Sequence, residues 1–107
     1  MTVNLLIDFL DADTEAAEIT IARIPIGIQS PGTLRTYSIQ LPIGSRTINF
    51  AVGENSESRQ FEVLETNEYY YFTLEERSRF LRSNTLVITF NGLITSTDVE
   101  QMLNEKN

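Results

Sequence analysis

A chain of 107 residues has the length of one domain, and with 41% hydrophobic residues it holds enough apolar material for an ordinary core. It contains no cysteine and no histidine, which excludes disulfides, thiolate and imidazole metal sites, and every nucleophilic dyad that needs either residue. Fifteen acids stand against seven arginines and one lysine, for a net charge of −7, so phosphate backbones and anionic membrane surfaces are repelled overall.

The first stretch, Met1-Thr2-Val3-Asn4-Leu5-Leu6-Ile7-Asp8, lacks a basic leader region and meets an aspartate after three apolar residues. As it stands it is no signal peptide, and the chain reads as cytoplasmic; with a leader removed it would read as a cell-envelope domain. No apolar run approaches the ~20 residues of a membrane span. Val3, Leu5, Ile7 and Phe9 alternate, predicting a first strand with one face inward, while Leu6 and Leu10 place apolar groups on its other face. Asp11 to Glu18 is an acidic loop, and Glu18 to Ile24 a second strand through Ile19 and Ile21.

Ile24 to Gly32 cannot be a regular interior strand, because Pro25 removes a ladder donor and Pro31-Gly32 signals a turn. Alternation resumes with Tyr37, Ile39 and Leu41. Pro42-Ile43-Gly44 then turns the chain into Ile48, Phe50 and Val52. Gly53 to Ser58 is a polar hairpin tip, Phe61 and Val63 follow, and Glu65 to Glu68 turns into Tyr70, Phe72 and Leu74. Leu41 to Leu74 therefore reads as a three-stranded meander with one buried face. Glu75 to Asn84 reads as a helical turn or a loop. Thr85 to Phe90 is a last strand, closed by the turn dipeptide Asn91-Gly92. Thr97 with Glu100 has capping-box spacing, predicting a short helix over 97–105 with Val99, Met102 and Leu103 on one face. The sum is a single all-β domain over 1–107: an antiparallel β-sandwich of about seven strands with a short C-terminal helix.

The run Leu41-Pro42-Ile43-Gly44-Ser45-Arg46-Thr47-Ile48-Asn49-Phe50, followed by Phe61-Glu62-Val63-Leu64 and Tyr69-Tyr70-Tyr71-Phe72, resembles the PEGA-like and related prealbumin-like β-sandwich modules of bacteria. The resemblance covers residues 34–74 and lacks the Pro-Glu-Gly-Ala signature. It implies an immunoglobulin-like or transthyretin-like sandwich serving as a non-catalytic accessory module. It brings no catalytic residues.

Three constellations carry candidate chemistry. Asp11, Asp13 and Glu15, in the acidic loop over 8–18, offer oxygens at alternate positions to a hard cation such as calcium, against the alternative of a solvated loop. No EF-hand glycine or flanking helices accompany them. Arg77, Arg79 and Arg82 are suited to bidentate capture of a carboxylate or phosphate, or to pairing with the chain's own acids. Tyr69 and Tyr71 project from the face opposite Tyr70 and Phe72, as a contact surface or as a layer beneath the C-terminal helix. Ile24, Ile26 and Ile28 plug one end of the sandwich or dock a partner chain. Catalysis would have to run on carboxylates, tyrosines, arginines or the lone lysine, Lys106, and a glycosidase-like carboxylate pair needs a cleft for which so small a domain has little room. The sequence thus points to a non-catalytic structural or protein-interaction module without cofactor, whose partner is another protein or a second copy. The alternatives are small-ligand or cation binding through the acidic loop or the arginine cluster, and an acid-rich mimic that blocks a basic surface.

Overall fold

The structure is a computed structural model and describes residues 1–79 and 82–106; the side chains of 78, 79 and 82–84 fall outside the described set. Among the described residues, β1 (Thr2–Phe9), β2 (Ala17–Ile21), β3 (Ile24–Gln29), β4 (Thr33–Gln40), β5 (Gly44–Val52), β6 (Asn55–Val63), β7 (Tyr69–Arg79) and β8 (Arg82–Ile94) precede one helix, α1 (Ser96–Lys106). The strands form two sheets of four, β4-β1-β7-β8 and β3-β2-β5-β6, and the protein is an all-β sandwich.

The alternation seen in the sequence builds the core. Val3, Leu5, Ile7 and Phe9 from β1 and Tyr70, Phe72 and Leu74 from β7 face Ile19 and Ile21 from β2, Ile48, Phe50 and Val52 from β5, and Phe61 and Val63 from β6. Phe61 joins the sheets through edge contacts, its ring centroid 5.4 Å from both Tyr70 and Phe72. Such edge-to-face pairs add about 0.5–1.5 kcal/mol beyond their buried area.

Six features differ from expectation. The predicted meander is broken: β5 and β6 pair as a hairpin, but β7 belongs to the other sheet. Side-chain parity does not reveal this, because a strand facing the core from either sheet alternates alike. The crossover is held by Tyr70, whose hydroxyl accepts a hydrogen bond from the Leu64 N–H at 2.7 Å. Secondly, β1 and β7 run parallel, Asn4 opposite Tyr69 through Phe9 opposite Leu74, while every other pair is antiparallel.

Thirdly, residues 75–79 and 82–84 form neither helix nor loop but extend the β7–β8 hairpin, with Arg79 opposite Arg82. Fourthly, Asn91-Gly92 is a bulge inside β8 rather than its end, with the register slipping between Tyr70 and Phe72 and Gly92 at φ +90. A positive-φ glycine serves a bulge as well as a turn. Finally, the helix starts one position early, with its cap two positions before the expected Thr97. Thr95 is its cap, accepting the Asp98 N–H at 3.2 Å while Asp98 Oδ2 accepts the Thr95 N–H at 3.3 Å. The strand count also rises to eight, since the segment holding Pro25 forms β3 at a sheet edge, where a missing donor faces no partner.

Helix α1 covers the outer face of the β4-β1-β7-β8 sheet. Leu6 points away from the main core yet is fully buried, Val99 of α1 is buried, and Lys106 reaches Asp8 of β1 at 3.2 Å. These contacts explain why β1 carries apolar groups on both faces.

Candidate functional site

The tyrosine pair lies on the helix-covered face. Tyr71 sits beside Leu6 and Tyr69 beside Asn4 in the parallel register, and both tyrosines are half-buried.

The arginine trio is not drawn to one point by any contact among the described residues. Arg77 pairs with Glu75 at 3.2 Å, two positions away on the same face of β7. Both side chains are largely solvated, so the pair contributes little. Arg79 and Arg82 are backbone partners in the β7–β8 ladder, and their side chains lie outside the described residues.

The acidic loop is split. Asp11 lies against the turn at Gly32, where its Oδ1 stands 3.3 Å from the position a Cβ would take, while Glu15 packs on the turn at Gly53. Asp13 and Glu15 share an open hollow with Glu54 and Glu76, and Asp11 does not line it. Among the described residues no three acids are grouped to hold a metal ion.

Among the described residues the isoleucine segment is the most exposed apolar feature. Strand β3 is an edge strand, and its Ile24 and Ile28 are 48% and 62% exposed. Glu18, Ile19, Pro25, Gly27 and Ile28 line a shallow, mainly apolar hollow beside it. Only Ile26 turns toward the core as the plug reading requires. The register slips between Ile19 and Thr20, and this bulge leaves Ile26 unpaired between Pro25 and Gly27.

Behind β3 lies a clasp that sequence reasoning missed. Gln29 is fully buried, and its Nε2 donates to Ile7 O at 2.9 Å and to Thr33 O at 3.0 Å. The Tyr37 hydroxyl donates to Gln29 Oε1 at 3.0 Å, so the amide is satisfied on both sides. Desolvation pushes the Tyr37 phenol above its ordinary value of 10.0, and the Arg35 guanidinium partly opposes the shift. Arg35 sits 5.4 Å from the ring centroid and donates to Ile28 O at 3.0 Å. A Cβ on Gly27 would stand 2.7 Å from Tyr37 Cε1, so only glycine admits the ring. The available signal was Gly27 itself, since glycine inside a strand marks close approach; nothing marks Gln29.

Comparison of the chain with family models, curated proteins and solved structures finds no match. Among the described residues no helix is long and apolar enough to cross a membrane.

Proposed function

We propose that the protein is a non-catalytic interaction module that associates with a second copy of itself through the β3 side of the sandwich. The observation that carries this reading is the exposure of Ile24 and Ile28 on an edge strand that is braced from behind by the Gln29–Tyr37 clasp. A two-fold contact would seat Ile28 of each copy in the hollow beside Ile19 and Pro25 of the other. Pro25 and the bulge withhold ladder hydrogen bonds, so contact through side chains is favoured over strand addition. A contact that rests on two exposed isoleucines is small, which sets a weak, reversible dimer.

In immunoglobulin constant-type sandwiches the first strand pairs with the second; here β1 pairs with β4 and β7. Cation binding draws less support, because Asp11 is turned away from Asp13 and Glu15.

Sedimentation equilibrium from micromolar to millimolar protein tests the proposal. The expected result is a monomer–dimer equilibrium that shifts to monomer in the Ile24→Ser/Ile28→Ser double variant, whose exposed positions leave the fold intact. A monomer at every concentration, or an equally strong dimer in the variant, overturns it.

A further inference from the structure

We infer that the outer face of the β3-β2-β5-β6 sheet carries a binding groove for a small hydroxylated anion, a sugar acid or a sugar phosphate. The groove lies between the β2–β3 turn and the β5–β6 hairpin and holds about 610 Å³, within the usual range for small-ligand sites. Its floor is a lattice of neutral hydrogen-bonding groups set by the register. Thr20 stands opposite Asn49 and Asn49 opposite Ser58, and Thr47 stands opposite Gln60. The Ser58 hydroxyl donates to Asn49 Oδ1 at 2.8 Å, which leaves the two N–H donors of Asn49 Nδ2 without a partner among the described residues.

Charge is sorted in this groove. The chain has fifteen acids and eight bases, yet Arg23 and Arg46 line the groove and no carboxylate does. Arg46 is anchored, its Nη1 donating to Ser45 O at 2.8 Å and its Nη2 to Ile43 O at 3.1 Å. A guanidinium has five donors, so three remain for a ligand. Arg23 has no hydrogen-bond or ion-pair partner among the described residues. It occupies the second central position of the two-residue β2–β3 turn, with φ +49 at Ala22 and +67 at Arg23. Turns of this kind favour Asn-Gly, and an alanine–arginine pair there holds both residues in a costly conformation. The Ala22 N–H bonds Thr47 O at 3.1 Å and pins the turn to β5. Strain of this kind clusters at ligand clamps.

One free guanidinium beside uncharged amides and hydroxyls suits a ligand with one anionic group and several hydroxyls. A polyanion would be repelled by the chain's net charge of −7.

Amide and side-chain NMR titration of the full chain tests the inference, with glucuronate, glucose 6-phosphate, glucose and inorganic phosphate as probes. The expected result is saturable movement of the Thr20, Arg23, Thr47 and Asn49 signals with glucuronate or glucose 6-phosphate, the stronger arm telling carboxylate from phosphate. Glucose and inorganic phosphate are each expected to bind at least about ten-fold more weakly, as is the better ligand to the Arg23→Gly variant. That variant relieves the turn, so its melting temperature is expected to rise while binding falls. Absence of saturable shifts with both sugar anions, equal binding of bare phosphate, or unchanged affinity in Arg23→Gly overturns the inference.

Discussion

Tyr37 shows how one side chain ties the two sheets together at the β3–β4 side. Its ring fills the space that Gly27 leaves open, its hydroxyl completes a buried amide, and its face meets Arg35. Replacing it with phenylalanine keeps the ring and removes the donor to Gln29 Oε1. A buried acceptor that loses its partner costs about 1–3 kcal/mol, so Tyr37→Phe is expected to be destabilised by that amount in urea denaturation. The two proteins should also differ in alkaline solution. The folded state holds the Tyr37 proton more tightly than the unfolded chain does, since the folded value lies above 10.0. The resulting stability is fully present below pH 10 and is lost as pH rises through the folded value. Wild type should therefore lose stability more steeply above pH 10 than Tyr37→Phe, and parallel curves would contradict the burial of this phenol.

At the scale of elements, α1 is the piece held by the fewest groups. Eleven residues make a marginal helix by themselves, so its order rests on Val99, the Lys106–Asp8 pair and the reciprocal cap at Thr95. Thr95→Ala removes the cap and is expected to cost about 0.5–2 kcal/mol. The loss should appear in hydrogen exchange as faster opening of α1 with little change in the inner amides of β1, and unchanged α1 protection would refute the cap. The sequence pointed to Thr97 with Glu100 as the cap, whereas the structure uses Thr95 with Asp98. The choice is made by β8, which stays paired to β7 as far as Ile94 opposite Tyr69. The same holds elsewhere. Phe50, Phe61 and Phe72 announced their strands because alternating apolar groups have one place to go. Residues 75–79 and 82–84 gave no such signal, since they are charged or polar and lie in a hairpin extension whose form depends on pairing rather than on burial. Asn91-Gly92 was legible as a positive-φ position, but bulge and turn share that requirement, and only the partner strand decides between them. The groove under Arg23 was hidden for a related reason. Outward Ser, Thr, Asn and Gln are the ordinary pattern of a solvated sheet, and the sheet alone brings Arg23 beside Arg46.

Across the whole molecule, charge is distributed with more order than the net value suggests. Asp13, Glu15, Glu54 and Glu76 share one hollow, while the arginine-lined groove contains no acid. The molecule is flat, 44 × 31 × 19 Å, with its sheets joined by pairings distant in sequence. Met1 donates to Leu41 O, and Asn4 lies opposite Tyr69. Loops of that length must close before their contacts stabilise anything, so refolding is expected in milliseconds to seconds rather than microseconds. Stopped-flow tyrosine fluorescence checks this, and a microsecond phase carrying the full amplitude would contradict it. The parallel pairing of β1 with β7 also bears on biosynthesis. On the ribosome β1 emerges first and can take β4 as a neighbour early, but its other edge stays open until residues 69–74 have been made. During that interval the nascent chain presents one open edge of a strongly apolar strand, Leu5-Leu6-Ile7, to its surroundings. A stalled or truncated product that ends before β7 would be a sticky fragment, whereas the completed chain has that strand sealed at the centre of a sheet.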